Sequence, residues 1–303
     1  MKNQTFVKEF FLSGLSDLPA LQFPLFLFFL LIYLLTLFWN LLIIILIVIN
    51  SHLHVPMYFF LGNLASLDLC CSSVTVPRML SDLHTGRRNV TIPACITQVF
   101  FFLFFGIAEV FLLSVMSYDR YTAICHPLRY INIMSWKACV RLVLSVWCVG
   151  LINSSVHTFY ALNVIFCGSD AIESFFCDLP QLLRISCGDI SINILLVFIL
   201  SGFVGVGSLI FTFLPYVYIF RTVLKMRIKG NRSKVFSTCT SHLTVVFIFY
   251  GCGMFNYFQP RVGHHFSDDK VVSIFYTVIV PLLNPLIYSL RNQNFKTAFG
   301  DVL

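Results

Sequence analysis

Seven long apolar segments restrict what this chain can fold into more than any other feature of its sequence. A helix needs about 20 predominantly apolar residues to cross the hydrocarbon core of a membrane. Stretches of this kind lie at 24–49, 56–80, 94–119, 138–160, 192–220, 235–259 and 270–290. Charged residues make up only 11% of the 303 residues, whereas soluble domains carry about 25%. We therefore predict an all-α membrane protein, a bundle of seven transmembrane helices that forms one domain over residues 1–303.

The distribution of lysine and arginine predicts the orientation of the bundle, because short cytoplasmic loops carry an excess of both. With the N-terminus outside, the cytoplasmic ends hold most of the basic residues and only two acids, Asp119 and Asp301. In the outer loops, acids at least balance bases. We therefore expect an extracellular tail at 1–23, the bundle at 24–290 and a cytoplasmic tail at 291–303. The net charge of +7 then comes from basic residues at the cytoplasmic ends of the segments. It does not indicate a surface that binds nucleic acid, so no nucleic-acid partner is expected.

Asp119 and Arg120, at the cytoplasmic end of segment three, are the first candidates for a switch. Charged side chains cost roughly 2.5–3.5 kcal/mol each at the centre of a bilayer unless they find partners or water. An acid next to an arginine at a helix end can exchange one partner for another. The alternative is that both are interfacial charges whose apolar stems lie along the membrane surface.

Three polar side chains fall within the apolar segments, namely Asp68 in segment two, Glu109 in segment three and Asn284 in segment seven. Such residues almost always face the interior of a bundle, where they pair, take up a proton or bind a cation. We therefore expect them to be buried among the helices. Two interpretations stay open, a cation site and a protonated carboxyl pair that holds helices together.

Four of the eleven cysteines fall on the predicted outer side, where disulfides persist. A bridge between Cys95 and Cys177 would attach the loop between segments four and five to segment three. A bridge between Cys167 and Cys187 would close that loop on itself, giving a stapled lid. The other seven cysteines are interpreted as small packing residues. The sequence lacks the repeated Cys and His spacing that would indicate a metal site.

Two further predictions concern Asn3 and the histidines. Asn3 begins the acceptor sequence Asn3-Gln4-Thr5 on the outer tail, which predicts N-glycosylation there. The histidines, including His242 in segment six, are interpreted as solvated or packing residues.

Four motifs, in this order along the chain, resemble those of the olfactory receptor branch of the rhodopsin-like (class A) G-protein-coupled receptors. The sequence is most similar in shape to the class II, tetrapod-type members. The outer loop with its three cysteines also resembles that branch. The resemblance implies a receptor, not an enzyme, with a short amphipathic helix after segment seven. The motifs are Pro56–Leu61 continuing to Leu67–Cys70, Met116–Cys125 continuing to Tyr130, Lys234–Leu243, and Pro281–Asn292.

The chain departs from the family pattern at four positions. Ser117 and Thr122 stand where alanine and valine are usual, Trp39 where glycine is usual, and Pro215 where serine is usual. Pro215 lacks a backbone donor and is expected to kink segment five. These departures bear on the ease of activation and leave the family resemblance intact.

The resemblance implies roles for the residues of the switch. In the resting receptor, Arg120 would be held by Asp119 and by polar groups of helix six. On activation, Arg120 would turn toward Tyr216 and the C-terminal helix of a G-protein α subunit, while Tyr288 repacks. Tyr121 belongs to the same switch. A guanidinium suits this exchange because it keeps its charge and carries five donors.

The resemblance also assigns a role to the buried polar residues. Together with Asn40, the residues Asp68, Glu109 and Asn284 resemble the central cluster that holds sodium in many receptors of the superfamily. A sodium ion is therefore the one candidate cofactor, and the protonated carboxyl pair stays the alternative.

A ligand pocket is implied between the outer halves of helices three, five, six and seven, beneath the lid. Phe102 stands where receptors for amines carry an aspartate, so the counter-ion for an amine is missing. An apolar pocket with a few hydroxyls and one amide suits a small, neutral, largely hydrophobic molecule. The implied pocket residues are Phe102, Leu103, Gly106, Ile107, Ser201, Val204, Tyr250, Gly253, Asn256, Tyr257, Ile274 and Thr277.

We therefore expect an odorant receptor of the plasma membrane, in olfactory cilia, surrounded by membrane lipid. It would bind a small volatile ligand and activate a stimulatory, olfactory-type heterotrimeric G protein, which raises cyclic AMP. A secondary transporter is the main alternative, but the halves of the chain show no repeat typical of such proteins. An enzyme fits less well, because the sequence contains no nucleophile motif, phosphate loop or HExxH.

Overall fold

The predicted bundle of membrane-spanning helices is confirmed by the structure, a computed structural model that describes residues 8–167, 170–225, 239–240, 242–253 and 266–290. Within these ranges, six helices are long and apolar enough to cross a membrane, and a shorter apolar helix lies in segment six. The final helix, α7, continues from Phe266–Ile274 through Val280–Leu290. The others are α1 Pro19–Ile49, α2 Pro56–Thr85, α3 Ile92–Cys125, α4 Trp136–Ala161, α5 Ser191–Lys225 and α6 His242–Gly253.

Some predicted features lie outside the described residues. These are the glycosylation site at Asn3, the pocket residues Asn256 and Tyr257, and the short amphipathic helix after segment seven.

Proline and glycine set several helix ends. Pro19, Pro56 and Pro93 lie in the first turns of α1, α2 and α3, where a missing backbone N–H costs nothing. Gly86 ends α2 in the left-handed conformation (φ 69°) and donates its N–H to the carbonyl of Asp82. Glycine is favoured there because it carries no Cβ.

The core of the bundle surrounds α3, which packs against α2, α4 and α5. Leu64 of α2 and Ala108 and Leu112 of α3 are among its buried residues. Gly150 of α4 lies so close to α3 that a Cβ there would be 2.7 Å from the carbonyl oxygen of Phe104. Small residues allow membrane helices to approach in this way. The outer half of α4 is thereby held directly against α3.

Two helices contain a wider turn that rotates their faces. α5 has a π-helical turn at Phe203–Gly207, and α7 has one at Phe275–Ile279. Such turns are frequent at functional sites and change which side chains face inward. α5 is helical on both sides of Pro215, and the kink expected there stays a prediction. The π-helical turn of α5 lies nearer its outer end.

Part of the predicted outer tail forms the middle of a small sheet. Strand β1, Glu9–Leu12, pairs antiparallel with β2, Asn89–Thr91, and parallel with β3, Ala171–Ile172. Phe10 and Leu12 of β1 are buried. The N-terminal segment is therefore built into the outer surface, which the sequence did not predict.

Arg88 fixes the chain between β1 and α1. Its guanidinium donates to the carbonyls of Ser13 and Ser16 and to the Asp17 carboxylate, each at 2.6 Å. The hydrogen bond from Arg88 lowers the pKa of Asp17, so the ion pair persists at neutral pH. Asp17 is largely exposed, and such pairs contribute little to stability. The two carbonyl contacts therefore matter more for the position of this turn.

The loop between α4 and α5 forms the lid. It includes the short helix Leu179–Arg184, and both predicted disulfides are present. Cys95–Cys177 joins the loop to α3, and Cys167–Cys187 closes the loop on itself. Gln98 of α3 reinforces the first bridge, because its Oε1 accepts from the Cys177 N–H at 2.9 Å. The lid is therefore tied to α3 by a covalent bond and an adjacent hydrogen bond.

Candidate functional site

A cavity of about 200 Å³ lies beneath the lid, and we call it the outer cavity. Leu179 and Pro180 of the lid form part of its wall. Its volume is below the range of about 300–1,000 Å³ that is typical of drug-sized ligands, so it suits a small molecule. Eight predicted pocket residues line it, namely Phe102, Leu103, Gly106, Ile107, Ser201, Val204, Tyr250 and Gly253.

On α7, the structure corrects the predicted pocket. Ile274 and Thr277 are not among the lining residues, and Tyr276 lines the cavity instead. Thr277 is buried and donates to the carbonyl of Ser273 at 2.6 Å. Tyr276 and Thr277 both lie in the π-helical turn at Phe275–Ile279, and such a turn changes which side chains face inward.

Three aromatic rings join the lid to the bundle at the edge of the cavity. The ring centroid of Phe176, next to the bridged Cys177, lies 5.1 Å from that of Phe102 and 6.4 Å from that of Tyr276. The rings of Phe102 and Tyr276 are 5.8 Å apart. Phe102 is thus packed between lid and α7, at the position where amine receptors carry an acid.

The wall formed by α4 was missed in the sequence. Asn153 and His157 both line the cavity and are 8% and 5% exposed. No hydrogen bond joins either side chain to another residue in the described ranges. A signal was present, because polar residues four positions apart share one face of a helix. The family pattern, however, pointed only to helices three, five, six and seven.

A second site, the central polar cluster, lies deeper and consists of Asn40, Asp68, Glu109 and Asn284. All four are at most 2% exposed. The Asn284 amide donates to both carboxylate oxygens of Asp68, at 2.9 and 3.1 Å, and to Glu109 Oε1 at 3.3 Å. Glu109 also lines the outer cavity, so the two sites meet.

Asn40 connects α1 to this cluster through α7. Its Nδ2 donates to the carbonyls of Thr36 and Pro281 at 2.9 Å. Its Oδ1 is buried and has no hydrogen-bond partner within the described chain. Carboxylate and amide oxygens are the ligands that hard cations prefer. The donor set therefore fits a cation as well as a shared proton.

At the cytoplasmic end of α3, the contacts of Asp119 differ from those implied by the resemblance. Asp119 is buried and accepts a hydrogen bond from the Tyr130 hydroxyl at 2.8 Å. Burial and the neighbouring Asp119 carboxylate raise the pKa of Tyr130, which keeps this hydroxyl protonated. No ion pair within 4.0 Å joins Asp119 to Arg120 in this part of the chain.

His242 of α6 is a buried packing residue, one of the two interpretations given for the histidines, and it also takes part in a hydrogen bond that the sequence did not predict. Its Nδ1 lies 2.7 Å from the Tyr216 hydroxyl of α5, and the two rings stack with centroids 5.8 Å apart. This contact ties α5 to α6 in the cytoplasmic half of the bundle. An outward movement of α6 would have to break it.

Unpaired polar atoms surround this contact. The Tyr288 hydroxyl is buried without a hydrogen-bond partner among the residues that the structure describes, and Ser117 Oγ and His242 Nε2 have no partner there within 3.5 Å. Arg120 is close enough to Tyr216, His242 and Tyr288 to interact with them electrostatically. We call these five residues the cytoplasmic polar layer. It has spare hydrogen-bonding capacity beside a guanidinium, as a switch of partners requires.

Tyr121 packs next to this layer. It contacts the apolar cluster of α5 and α6 that contains Tyr216, and its hydroxyl lies 3.0 Å from His126 Nε2. Tyr121 therefore faces the helices whose relative movement the resemblance implies.

Comparisons with known proteins agree with this architecture. Among solved structures, squid rhodopsin has the same fold, with a TM-score of 0.68 at 19% identity over 94% of this chain and 86% of that chain. Olfactory receptor 5B12 of Homo sapiens is 47% identical over 99% of this chain and 95% of its own length. Olfactory receptor 8G17 of Mus musculus is 46% identical over 99% and 98%. A sequence model of the olfactory receptor family matches residues 29–303. With relatives this similar along nearly its whole length, the chain belongs to the olfactory receptor family.

Proposed function

We propose that this receptor detects a small, neutral, largely hydrophobic volatile molecule in the outer cavity. The observation that carries the proposal is the cavity itself, which is small, lies beneath a stapled lid and is lined mainly by apolar side chains. A ligand of about a dozen non-hydrogen atoms has little surface to bury, so modest affinity is expected. The receptor is a multi-pass plasma-membrane protein, and we place it in olfactory cilia.

We propose further that occupancy of the cavity activates a stimulatory, olfactory-type heterotrimeric G protein and raises cyclic AMP. A chain of hydroxyls beneath the cavity supports a route for this coupling. Tyr250 of α6 lies 3.2 Å from Thr212 of α5, which lies 2.8 Å from Ser114 of α3. A ligand that prefers one position of Tyr250 would bias α6 and hence the Tyr216–His242 contact.

Filling the cavity tests the proposal. A Cβ at Gly106 would meet no atom within 4 Å, so Gly106→Leu places a side chain in the cavity without a backbone clash. Volatiles are screened for cyclic AMP responses, and active ones are tested for nucleotide exchange on a purified stimulatory α subunit. We expect Gly106→Leu to raise the half-maximal concentration at least about tenfold, the equivalent of 1.4 kcal/mol.

The matched control is Gly251→Leu, since Gly251 is exposed on α6 and its Cβ would also meet open space. It should respond like the unmodified receptor. A full response from Gly106→Leu would show that the ligand does not bind in this cavity. Substrate flux without nucleotide exchange would instead favour the transporter.

We also propose that the central polar cluster binds a sodium ion that lowers basal signalling. Two carboxyl groups share one amide donor there, and their mutual repulsion favours a cation or a proton between them. Replacing sodium with choline at constant ionic strength should raise basal nucleotide exchange. We expect Glu109→Gln to abolish this dependence and the exposed control Asp17→Asn to retain it. An unchanged dependence in Glu109→Gln would overturn the cation site in this cluster.

A further inference from the structure

The α4 wall of the outer cavity contains polar groups that the apolar character of the ligand does not explain. Asn153 and His157 are buried, line the cavity and form no hydrogen bond with the described chain. An unsatisfied buried amide or imidazole is unfavourable, so native structures usually provide a partner. The polar atoms of Asn153 and His157 are not sealed off by the protein, and because both side chains line the cavity, a ligand there can supply the partner.

Ser201 of α5 also lines the cavity and forms no hydrogen bond in the described ranges, but two other polar side chains there are already engaged. The Tyr250 hydroxyl lies 3.2 Å from Thr212, and Glu109 accepts from Asn284 at 3.3 Å. Asn153 and His157 therefore differ from these lining residues in having their full hydrogen-bonding capacity open to a ligand.

The position of the pair is fixed by helix packing. Gly150, Asn153 and His157 follow the spacing of one helical face. The Cα of Gly150 is held against α3, where a Cβ would lie 2.7 Å from the carbonyl oxygen of Phe104. α4 cannot shift inward or take a larger residue at this contact without moving the backbone of α3. The amide and the imidazole are thus presented to the cavity from a rigid wall.

We propose that Asn153 and His157 form a polar subsite of the outer cavity, which selects ligands carrying one neutral oxygen on an apolar skeleton, as ketones, aldehydes, esters and alcohols do. This inference rests on the proposed function, since it takes the cavity as the odorant site. The Asn153 amide and one imidazole N–H can both donate to a single carbonyl or hydroxyl oxygen. The carboxyl group of Glu109 in the same cavity disfavours an anionic ligand.

The first test compares four probes that share a chain length, namely octane, octanone, octanol and octylamine. Binding is measured by thermal stabilisation of the purified receptor, and signalling by nucleotide exchange on the stimulatory α subunit. Octanone and octanol should act at concentrations at least about tenfold below octane, as expected for one well-made hydrogen bond. Equal potency of octane, higher potency of octylamine, or no stabilisation by either oxygenated probe would overturn the subsite.

The second test removes the polar groups while keeping their volume. Asn153→Leu and His157→Phe should each abolish the preference for octanone over octane, and His157→Gln, which restores a donor, should recover it. Ser201→Ala, on the α5 wall, should have the smaller effect. Ser155→Ala, on the exposed face of α4, should match the unmodified receptor. Each variant is first checked for surface delivery and thermal stability. If the variant at one of the two α4 positions does not fold, the variant at the other position still tests the subsite.

The two readouts separate this inference from the proposed function. Oxygen-selective stabilisation that disappears in Asn153→Leu, without nucleotide exchange in the unmodified receptor, would support the subsite and refute the signalling role. Nucleotide exchange with the same oxygen preference in Asn153→Leu and His157→Phe would overturn the subsite and leave the signalling role intact. The subsite would also be overturned if Ser201→Ala abolished the preference for octanone over octane and both α4 variants retained it.

Discussion

Replacing Arg120 with glutamine is expected to abolish most agonist-stimulated nucleotide exchange while the receptor still reaches the cell surface and binds its ligand. Arg120 interacts electrostatically with Tyr216, His242 and Tyr288, and two of these carry buried polar atoms without partners in the described ranges. A hydrogen bond to a charged group contributes about 1.5–3 kcal/mol. Losing one such bond to the α subunit would lower coupling about tenfold or more.

The control for Arg120 lies in the following loop. Arg129 is exposed on the cytoplasmic side and has no ion pair within the described ranges, so Arg129→Gln removes a charge without touching the polar layer. Nucleotide exchange on a purified α subunit, normalised to surface receptor, provides the measurement. Full exchange by Arg120→Gln at normal surface levels would contradict the role given to this guanidinium.

Breaking the Cys95–Cys177 bridge is expected to cause the largest loss of stability. The bridge spans a sequence separation of 82 residues and holds the lid on α3. Removing a native disulfide typically costs about 2–5 kcal/mol, with larger values for longer loops. We expect Cys95→Ser to reduce surface receptor strongly and to lower the midpoint of thermal unfolding. Surface labelling and a thermal unfolding assay measure both effects.

A graded comparison makes this test specific. Cys167→Ser opens a bridge with a separation of only 20 residues and should destabilise the receptor less. Cys148→Ser replaces an exposed free cysteine and should have no effect. Equal losses from Cys95→Ser and Cys148→Ser would show that the bridge does not hold the lid.

The sequence predicted the parts of this receptor that depend on local composition. A membrane helix is specified by its own run of apolar residues, so all seven segments overlap helices in the structure. The burial of Asp68, Glu109 and Asn284 was predictable for a related reason. Each is costly in lipid and therefore faces the bundle interior, where the three side chains are in contact.

The features that were missed depend on relations between distant residues. β1 pairs with strands that lie far along the chain and contain only two or three residues, too few for a periodic pattern. On α7, Tyr276 lines the cavity in place of Ile274 and Thr277, and it lies in a π-helical turn that the sequence did not predict. The contact between His242 and Tyr216 joins two helices whose register no single segment reveals.

The central position of β1 limits how the N-terminus can be engineered. Phe10 packs edge-on against Phe166 of the lid at 5.0 Å, and both edges of β1 are paired. An affinity tag fused ahead of Glu9 leaves these pairings in place. A truncation beyond Leu12 would strip the middle from a three-stranded sheet and uncover the apolar underside of the lid. Shortened versions made for purification should therefore retain the chain from residue 9 onward.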